Sequence, residues 1–484
     1  KKTAKQQLGL ISNMTLIFGC GTLDWRKAPD LFVDVAENLL KRGLTDIHFY
    51  WIGWAPIDYP NLITDLSDRG LDNHVTFLGE KKNPIEYLAT GDIFLLTSRE
   101  DPFPLVCLES ADCGLPTVCF ENAGGMPAFV AEAKGGFIVP YEDVAAMTDK
   151  VARLIENPKL REQFGCNARD ALHKGHTTNV SAPKILKIIH SIAGTKPAVS
   201  IIVPAYNHAR FLRKRLDSIF QQTFRDFEVI LLDDASTDET SAILKEYQHK
   251  FDTILDINKK NSGSTFSQWT KGIKKANADL VWIAEDDDLC EQDFLEKLLP
   301  SFDDPEVNLV YSQSYAIDDN DTILFSYKNY TNEISRDRWG NSYKVHSNDE
   351  VNTGLGTKNT IPNASAVLFR RFDIGKWESE WSTRELAGDW AFYLHAICDG
   401  KIAYNPEHLN YHRRHSDTNI FRTQYKESRF REIVAVHKWT LEAYDVSDET
   451  KIMMKEHANE IWFAVFPNKN NSDFENAYSI TTKL

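Results

Sequence analysis

Short apolar runs alternate with helix-patterned stretches twice along this chain, once over residues 14–190 and again from Val199. Such alternation implies parallel strands covered by helices, because parallel neighbours need a long crossover between them. In the first stretch Leu16–Phe18, Ile47–Ile52, Val75–Leu78, Ile93–Leu96 and Thr117–Phe120 read as strands. Leu31–Arg42, Pro104–Cys113 and Val144–Glu156 read as helices. In the second stretch the strands are Val199–Val203, Glu228–Asp233, Thr253–Ile257, Leu280–Ala284 and Val307–Tyr311. Between the two, Gly194-Thr195-Lys196-Pro197 breaks both patterns and reads as a linker. Ser236 and Glu239 have the spacing of a capping box ahead of a helix through Leu244. After Asn419, Phe430, Ile433, Val434 and Leu441 fall at helical spacing. A single core rarely grows to 484 residues. The expected fold is α/β: two Rossmann-like domains in tandem, residues 1–194 and 195–422, with a helical extension over 423–484.

Charge and composition narrow the function. A net charge of -15 argues against a nucleic-acid partner, which needs a basic face. No apolar run approaches the roughly 20 residues that span a bilayer, so no transmembrane segment is expected. No charged n-region followed by an apolar h-region opens the chain, so no secretory signal is visible in it. The seven cysteines show no C-x-x-C spacing and read as reduced thiols of a cytoplasmic protein. The chain opens on Lys1, not Met, and is read as part of a longer natural chain.

The chemistry concentrates where Ala284-Glu285-Asp286-Asp287-Asp288-Leu289 follows the strand Leu280–Ala284. Adjacent carboxylates repel one another unless a cation relieves them, and hard cations such as Mg2+ or Mn2+ want oxygen ligands. A solvated acidic loop looks the same in isolation. Two further strands, however, end in polar loops at the same sheet edge: Val203-Pro204-Ala205-Tyr206-Asn207 and Leu232-Asp233-Asp234-Ala235-Ser236. Ligands of open α/β sheets bind at such an edge. Taken in order, these motifs resemble the family 2 glycosyltransferases, which have the GT-A fold and invert the anomeric centre. The resemblance covers about residues 197–420. It implies that Pro204, Tyr206 and Asp234 surround the nucleotide, with Asp234 accepting a hydrogen bond from the base. Asp287 matches the last aspartate of the D-x-D motif and would bind the metal. Asp286 would contact the ribose or support the metal shell, and Glu285 stands at the motif's first position. Gln268-Trp269 replaces the Arg-Asn of many members. Asp389, in Leu386-Ala387-Gly388-Asp389-Trp390, is the implied catalytic base, although an aspartate there also suits a helix cap. His415, in Tyr411-His412-Arg413-Arg414-His415, would complete the metal shell or touch the diphosphate.

The first half carries a different set. Gly19-Cys20-Gly21 follows its first strand and Arg26-Lys27 precedes a helix, an arrangement that favours anions. Asp101 and Glu109 are separated by seven residues, and Gly124-Gly125-Met126-Pro127 makes a second glycine turn. This set resembles the C-terminal, donor-binding half of family 4 glycosyltransferases, which have the GT-B fold. The resemblance implies that Glu109 holds the ribose and Arg26 and Lys27 the diphosphate, with Asp101 beside them. Asp101, Thr22 and Ala128 depart from the family pattern at positions usually held by glutamate, arginine and glutamate. The complementary GT-B half is missing and would lie upstream.

The sequence thus reads as a metal-dependent inverting glycosyltransferase, moving a hexosyl or deoxyhexosyl group from a UDP- or dTDP-linked donor. The acceptor would be a glycan or lipid-linked glycan of a bacterial surface polysaccharide, met in the cytoplasm or at the inner face of the membrane. Two alternatives stand beside this reading. One is a nucleotide-sugar-binding scaffold without turnover. The other is a nucleotidyltransferase, which needs a glycine-rich, lysine-bearing loop that Pro204–Asn207 does not supply.

Overall fold

The computed structural model describes residues 2–11, 13–55, 61–382, 384–415 and 427–482. The chain divides into two compact units, Lys1–Val180 and Ser181–Leu484. The expected boundary after residue 194 falls beyond this division, just after the helix Thr178–Ala193. The expected boundary between 422 and 423 lies outside the described residues.

The first unit holds six parallel strands: β1 (Thr15–Cys20), β2 (Ile47–Ile52), β3 (Val75–Phe77), β4 (Ile93–Leu96), β5 (Thr117–Phe120) and β6 (Gly136–Val139). Their order is β3-β2-β1-β4-β5-β6, a doubly wound sheet whose winding reverses between β1 and β4. β2, β4 and β5 are buried along their whole length, as strands covered on both faces must be. One core lies on each face, around Phe32, Phe49 and Trp51 on one side and Phe18, Phe94 and Met126 on the other.

The second unit is built on β7 (Val199–Ala205), β8 (Phe227–Asp233), β9 (Ile254–Ile257), β10 (Leu280–Ile283), β11 (Leu289–Cys290), β12 (Val307–Ile317), β13 (Ile323–Ser326), β14 (Tyr343–His346), β15 (Val367–Arg370) and β16 (Lys401–Arg413). The main path runs β11-β16-β12-β15-β10-β7-β8-β9. β10, β7, β8 and β9 are parallel, whereas β15 joins β10 antiparallel. After β9 the chain crosses back to place β10 on the other flank of β7. The carboxyl ends of β7 and β10 therefore form the switch point where an open sheet offers its crevice.

The capping box does not form. The helix starts at Thr240, the Glu239 side chain makes no cap bond, and Asp238 instead accepts from the Thr240 N–H at 2.9 Å. The Ser236 hydroxyl is used elsewhere, accepting from the Asn207 N–H at 3.0 Å. The tail is helical as expected, over Glu427–Ala443, Asp448–Val465 and Asn471–Thr482. All seven cysteines are free thiols.

Candidate active site

β7 and β10 end side by side, so Tyr206 and His208 meet the acidic run. The Asp286 carboxylate accepts from the Tyr206 N–H at 3.0 Å and pairs with His208 Nδ1 at 2.7 Å. It thereby shapes the β7 loop. On the other side, His415 Nε2 lies 2.9 Å from Asp287 Oδ2. One ligand atom each from His208, Asp287 and His415 fall within 4.8 Å of one another, close enough to share a cation. His208 was not foreseen. Its position two residues beyond Tyr206, in the same loop, was the available signal.

Electrostatics single out Asp287 within the run. Burial and the neighbouring Asp287 and Asp286 charges push Glu285 well above the carboxylate range. Burial, aided by Asp287, raises Asp288 to about 7. Burial also raises Asp286, against the pull of His208. Burial opposes the Asp287 charge too, yet the hydrogen bond from His415 and the nearby His208 and His412 hold its carboxyl below the usual range. Asp287 is thus the member best kept ionised. Partial burial disfavours the charge of His208, but Asp286, Asp287 and Glu285 raise it to about 9.

The other acidic side chains have fixed partners. Glu285 accepts from Trp269 Nε1 at 2.7 Å. Asp288 accepts from the Arg413 N–H at 2.8 Å and from Asn363 Nδ2. Arg413, fully buried, donates from Nε to the Asp287 carbonyl at 2.7 Å and from Nη2 to Asp321 at 2.6 Å. These bonds tie the end of β16, and with it His415, to the acidic turn.

Asp234 is buried at the end of β8. Its carboxylate accepts from Gln268 Nε2 at 2.8 Å, from the Ser262 N–H at 2.9 and 3.0 Å, from the Ser262 hydroxyl at 2.7 Å and from Asn258 Nδ2. Both residues of the unusual Gln268-Trp269 pair therefore hold acidic groups of the site, Asp234 and Glu285. Pro204 lies within β7, and Tyr206 is half-exposed beside Asp286.

Asp389 opens the helix Gly388–Ile397. A Cβ at Gly388 would come within 2.4 Å of the Phe266 ring, so only glycine lets the helix start press this close. Asp389 Oδ1 accepts from the Trp390 N–H at 2.7 Å, and Oδ2 from Asn359 Nδ2 at 3.0 Å. Burial outweighs these bonds and raises its carboxyl to about 6. The loop before it is anchored by Glu432 of the tail. That buried carboxylate accepts from the N–H groups of Glu385, Leu386 and Ala387 at 3.0, 2.9 and 2.9 Å.

In the first unit, Lys27 and Asp101 form an ion pair that is largely shielded from water. Glu109 and Lys27 both act on the Cys20 thiol, which burial first and Glu109 next raise to about 11. Arg26 is exposed, and its carbonyl accepts from the Arg99 N–H at 2.8 Å. The four residues thus gather near the carboxyl ends of β1 and β4. The lysine expected to meet a diphosphate already has a carboxylate partner.

The β7–β10 switch point thus gathers an acidic turn and two imidazoles, and Asp389 stands on a separate helix. Residues 200–373 match the family described as Glycosyl transferase family 2, and residues 1–171 that described as Glycosyl transferases group 1. The chain thus joins a region similar to one glycosyltransferase family to a region similar to another. Among curated relatives, glycosyltransferase GlyA of Streptococcus pneumoniae serotype 4 is 30% identical over 192 residues, 37% of this chain and 26% of that protein. Glycosyltransferase GlyG of the same organism is 26% identical over 49% of this chain and 77% of its own length. The chain therefore spans about a quarter of the first relative and three quarters of the second. The crystal structure of S. aureus TarS 1-349 in complex with UDP-GlcNAc aligns at 18% identity with 59% of this chain and 76% of that one, at a TM-score of 0.44.

Proposed function

We propose that the second unit is a metal-dependent, inverting glycosyltransferase that passes a hexosyl or deoxyhexosyl group from a UDP- or dTDP-linked donor to a glycan. The observation that carries this reading is the convergence of His208, Asp287 and His415 at the switch point, with Asp389 on a separate helix. Two imidazole nitrogens and one carboxylate suit Mn2+ better than Mg2+, which prefers an all-oxygen shell. A bound cation would offset the charge of the leaving diphosphate. The protein's own groups do the rest. The β7 loop with Tyr206 and the Asp234 network frame the nucleotide, and Asp389 takes the acceptor hydroxyl's proton as the new C–O bond forms and the donor's C–O bond breaks. Asp286 and Glu285 hold the loops in place. We place the acceptor, a growing surface glycan or its lipid-linked form, at the cytoplasmic face of the membrane.

Calorimetric titration with UDP and dTDP tests this reading. Binding is expected with Mn2+, at least about tenfold weaker in EDTA and in Asp287→Ala, as loss of a ligand from a small shell predicts. Equal affinity in all three would remove the metal from the mechanism. Because His208 must lose its proton to ligate, Mn2+ affinity is expected to rise with pH up to about 9 and to release protons on binding. His208→Gln should flatten that dependence.

For the first unit we propose a donor-binding fold without independent turnover, since Lys27 is paired with Asp101. In the full chain, Asp287→Ala combined with Asp389→Asn is expected to abolish transfer and donor hydrolysis with every nucleotide sugar. Residual turnover that Lys27→Ala removes would show that the first unit is an active transferase.

A further inference from the structure

The short helix Lys328–Thr331 links the two halves of the active site. At one end the buried Tyr327 stacks on the His412 ring, and its hydroxyl lies 2.7 Å from His412 Nδ1. His412 stands on β16, just ahead of His415 in the acidic site. At the other end Lys358 Nζ donates to the Tyr330 carbonyl at 3.2 Å and to Glu333 at 2.6 Å. The same ammonium sits 3.9 Å from the centre of the Tyr330 ring. The next residue, Asn359, is the one that donates to Asp389 Oδ2 at 3.0 Å. The segment thus runs from the acidic turn to the base, and an acceptor must lie between those two points to react.

Tyr330 has the character of a binding surface. Its ring is 37% exposed although Lys358 covers one face, while Lys358 itself is buried. The surrounding protein, then the charges of Glu333 and Asp389, push its hydroxyl above the usual tyrosine value, so Tyr330 and the base share one electrostatic environment. A buried lysine against the ring, held by a carbonyl and a carboxylate, fixes the aromatic plane before anything binds. Such a face offers flat apolar area and π density to polarised C–H groups. A pyranose presents a flat face of C–H groups, and an open-chain polyol does not. We propose that Tyr330 is the acceptor platform: the C–H face of a pyranose lies on its ring, which turns one sugar hydroxyl toward Asp389. The inference rests on the proposed function for the role of Asp389 and adds to it a ring-shaped acceptor residue.

The test is saturation-transfer NMR on the full chain with UDP and Mn2+ present. The probes are methyl β-D-glucopyranoside, methyl β-D-galactopyranoside and methyl N-acetyl-β-D-glucosaminide, with ribitol as the open-chain control. At least one pyranoside is expected to take up saturation, most strongly at the C–H groups of one ring face, and ribitol is not. Tyr330→Phe should keep that signal. Tyr330→Leu retains apolar bulk against Lys358 but has no aromatic face. It should raise the half-saturating concentration at least about fivefold, the scale of a lost aromatic contact. Because the position is exposed, its melting temperature should stay near the parent's, and its UDP affinity should match. No saturation of any pyranoside, equal saturation of ribitol, or undiminished binding by Tyr330→Leu would overturn the proposal. So would a loss of UDP affinity in Tyr330→Leu, which would place the ring at the donor. The readout needs no turnover. Pyranoside binding that depends on Tyr330, in a chain that transfers nothing, would sink the proposed function and leave the platform standing.

Discussion

Asp389→Asn is expected to leave the fold and the nucleotide affinity in place while sugar transfer falls by ~10²–10⁴-fold, the usual worth of a positioned general base. Asn keeps the shape and can still accept the Trp390 N–H, but it cannot take a proton. The pH profile sharpens the test. Burial raises the Asp389 carboxyl to about 6, so it is protonated and idle below that pH and ready above it. Transfer in the parent should therefore rise with pH through about 6, and the residual rate of the Asn variant should lack that limb. Stability runs the other way. A carboxyl whose folded pKa lies above its unfolded value of 3.8 costs stability as pH rises through the window from 3.8 to about 6. The Asn variant carries no such cost and should melt no lower than the parent above pH 6. If Asp389 serves only as a helix cap, the outcome inverts, with a lower melting temperature and near-normal turnover. Initial rates, nucleotide titrations and melts across pH 5 to 8 separate the two.

What the sequence reveals of this molecule follows the range of the interactions involved. β1 to β5, β7 to β10 and β12 are legible from apolar runs, because strands buried on both faces leave little choice of residue, whereas β6, β11 and β13 to β16 are not. The acidic run is legible because its members are contiguous. Its partners are not. His208 and His415 lie 207 residues apart in number, joined only because β16 returns alongside β12 and delivers Arg413 to the acidic turn. The capping box failed for a related reason: Ser236 matches the motif locally, but the adjacent β7 loop claims its hydroxyl through Asn207. The departures from family pattern gain meaning only in three dimensions. Gln268 and Trp269 bind Asp234 and Glu285 across the start of one helix. Asp101, read as an altered donor contact, turns out to be the ion-pair partner of Lys27.

Glu432→Ala is expected to cost transfer nearly as much as loss of the base, although Glu432 lies in the tail and outside the core of the acidic site. Its carboxylate takes three consecutive N–H groups, those of Glu385, Leu386 and Ala387, immediately before Gly388 and Asp389. Hydrogen bonds to a charged group are worth about 1.5–3 kcal/mol, and buried donors left unpaired lose a comparable amount. Alanine would strand three donors, so the loop that aims Asp389 should loosen and the protein should lose ~2–5 kcal/mol of stability. A misplacement of about 1 Å at a catalytic group can cost ~10²-fold in rate. The effect should fall on kcat and leave the nucleotide Kd unchanged, because the Asp234 and Asp287 contacts lie on other strands. Glu432→Gln discriminates further. It keeps one acceptor oxygen and removes a charge that adds, after burial, to the rise of the Asp389 carboxyl. The Gln variant should therefore recover part of the stability, and its acid limb should move to lower pH than the parent's. A merely structural glutamate would change the melting temperature and leave that limb where it was. Rate profiles of the two variants beside the parent decide whether the tail belongs to the catalytic machinery, and an unchanged kcat in Glu432→Ala would exclude it.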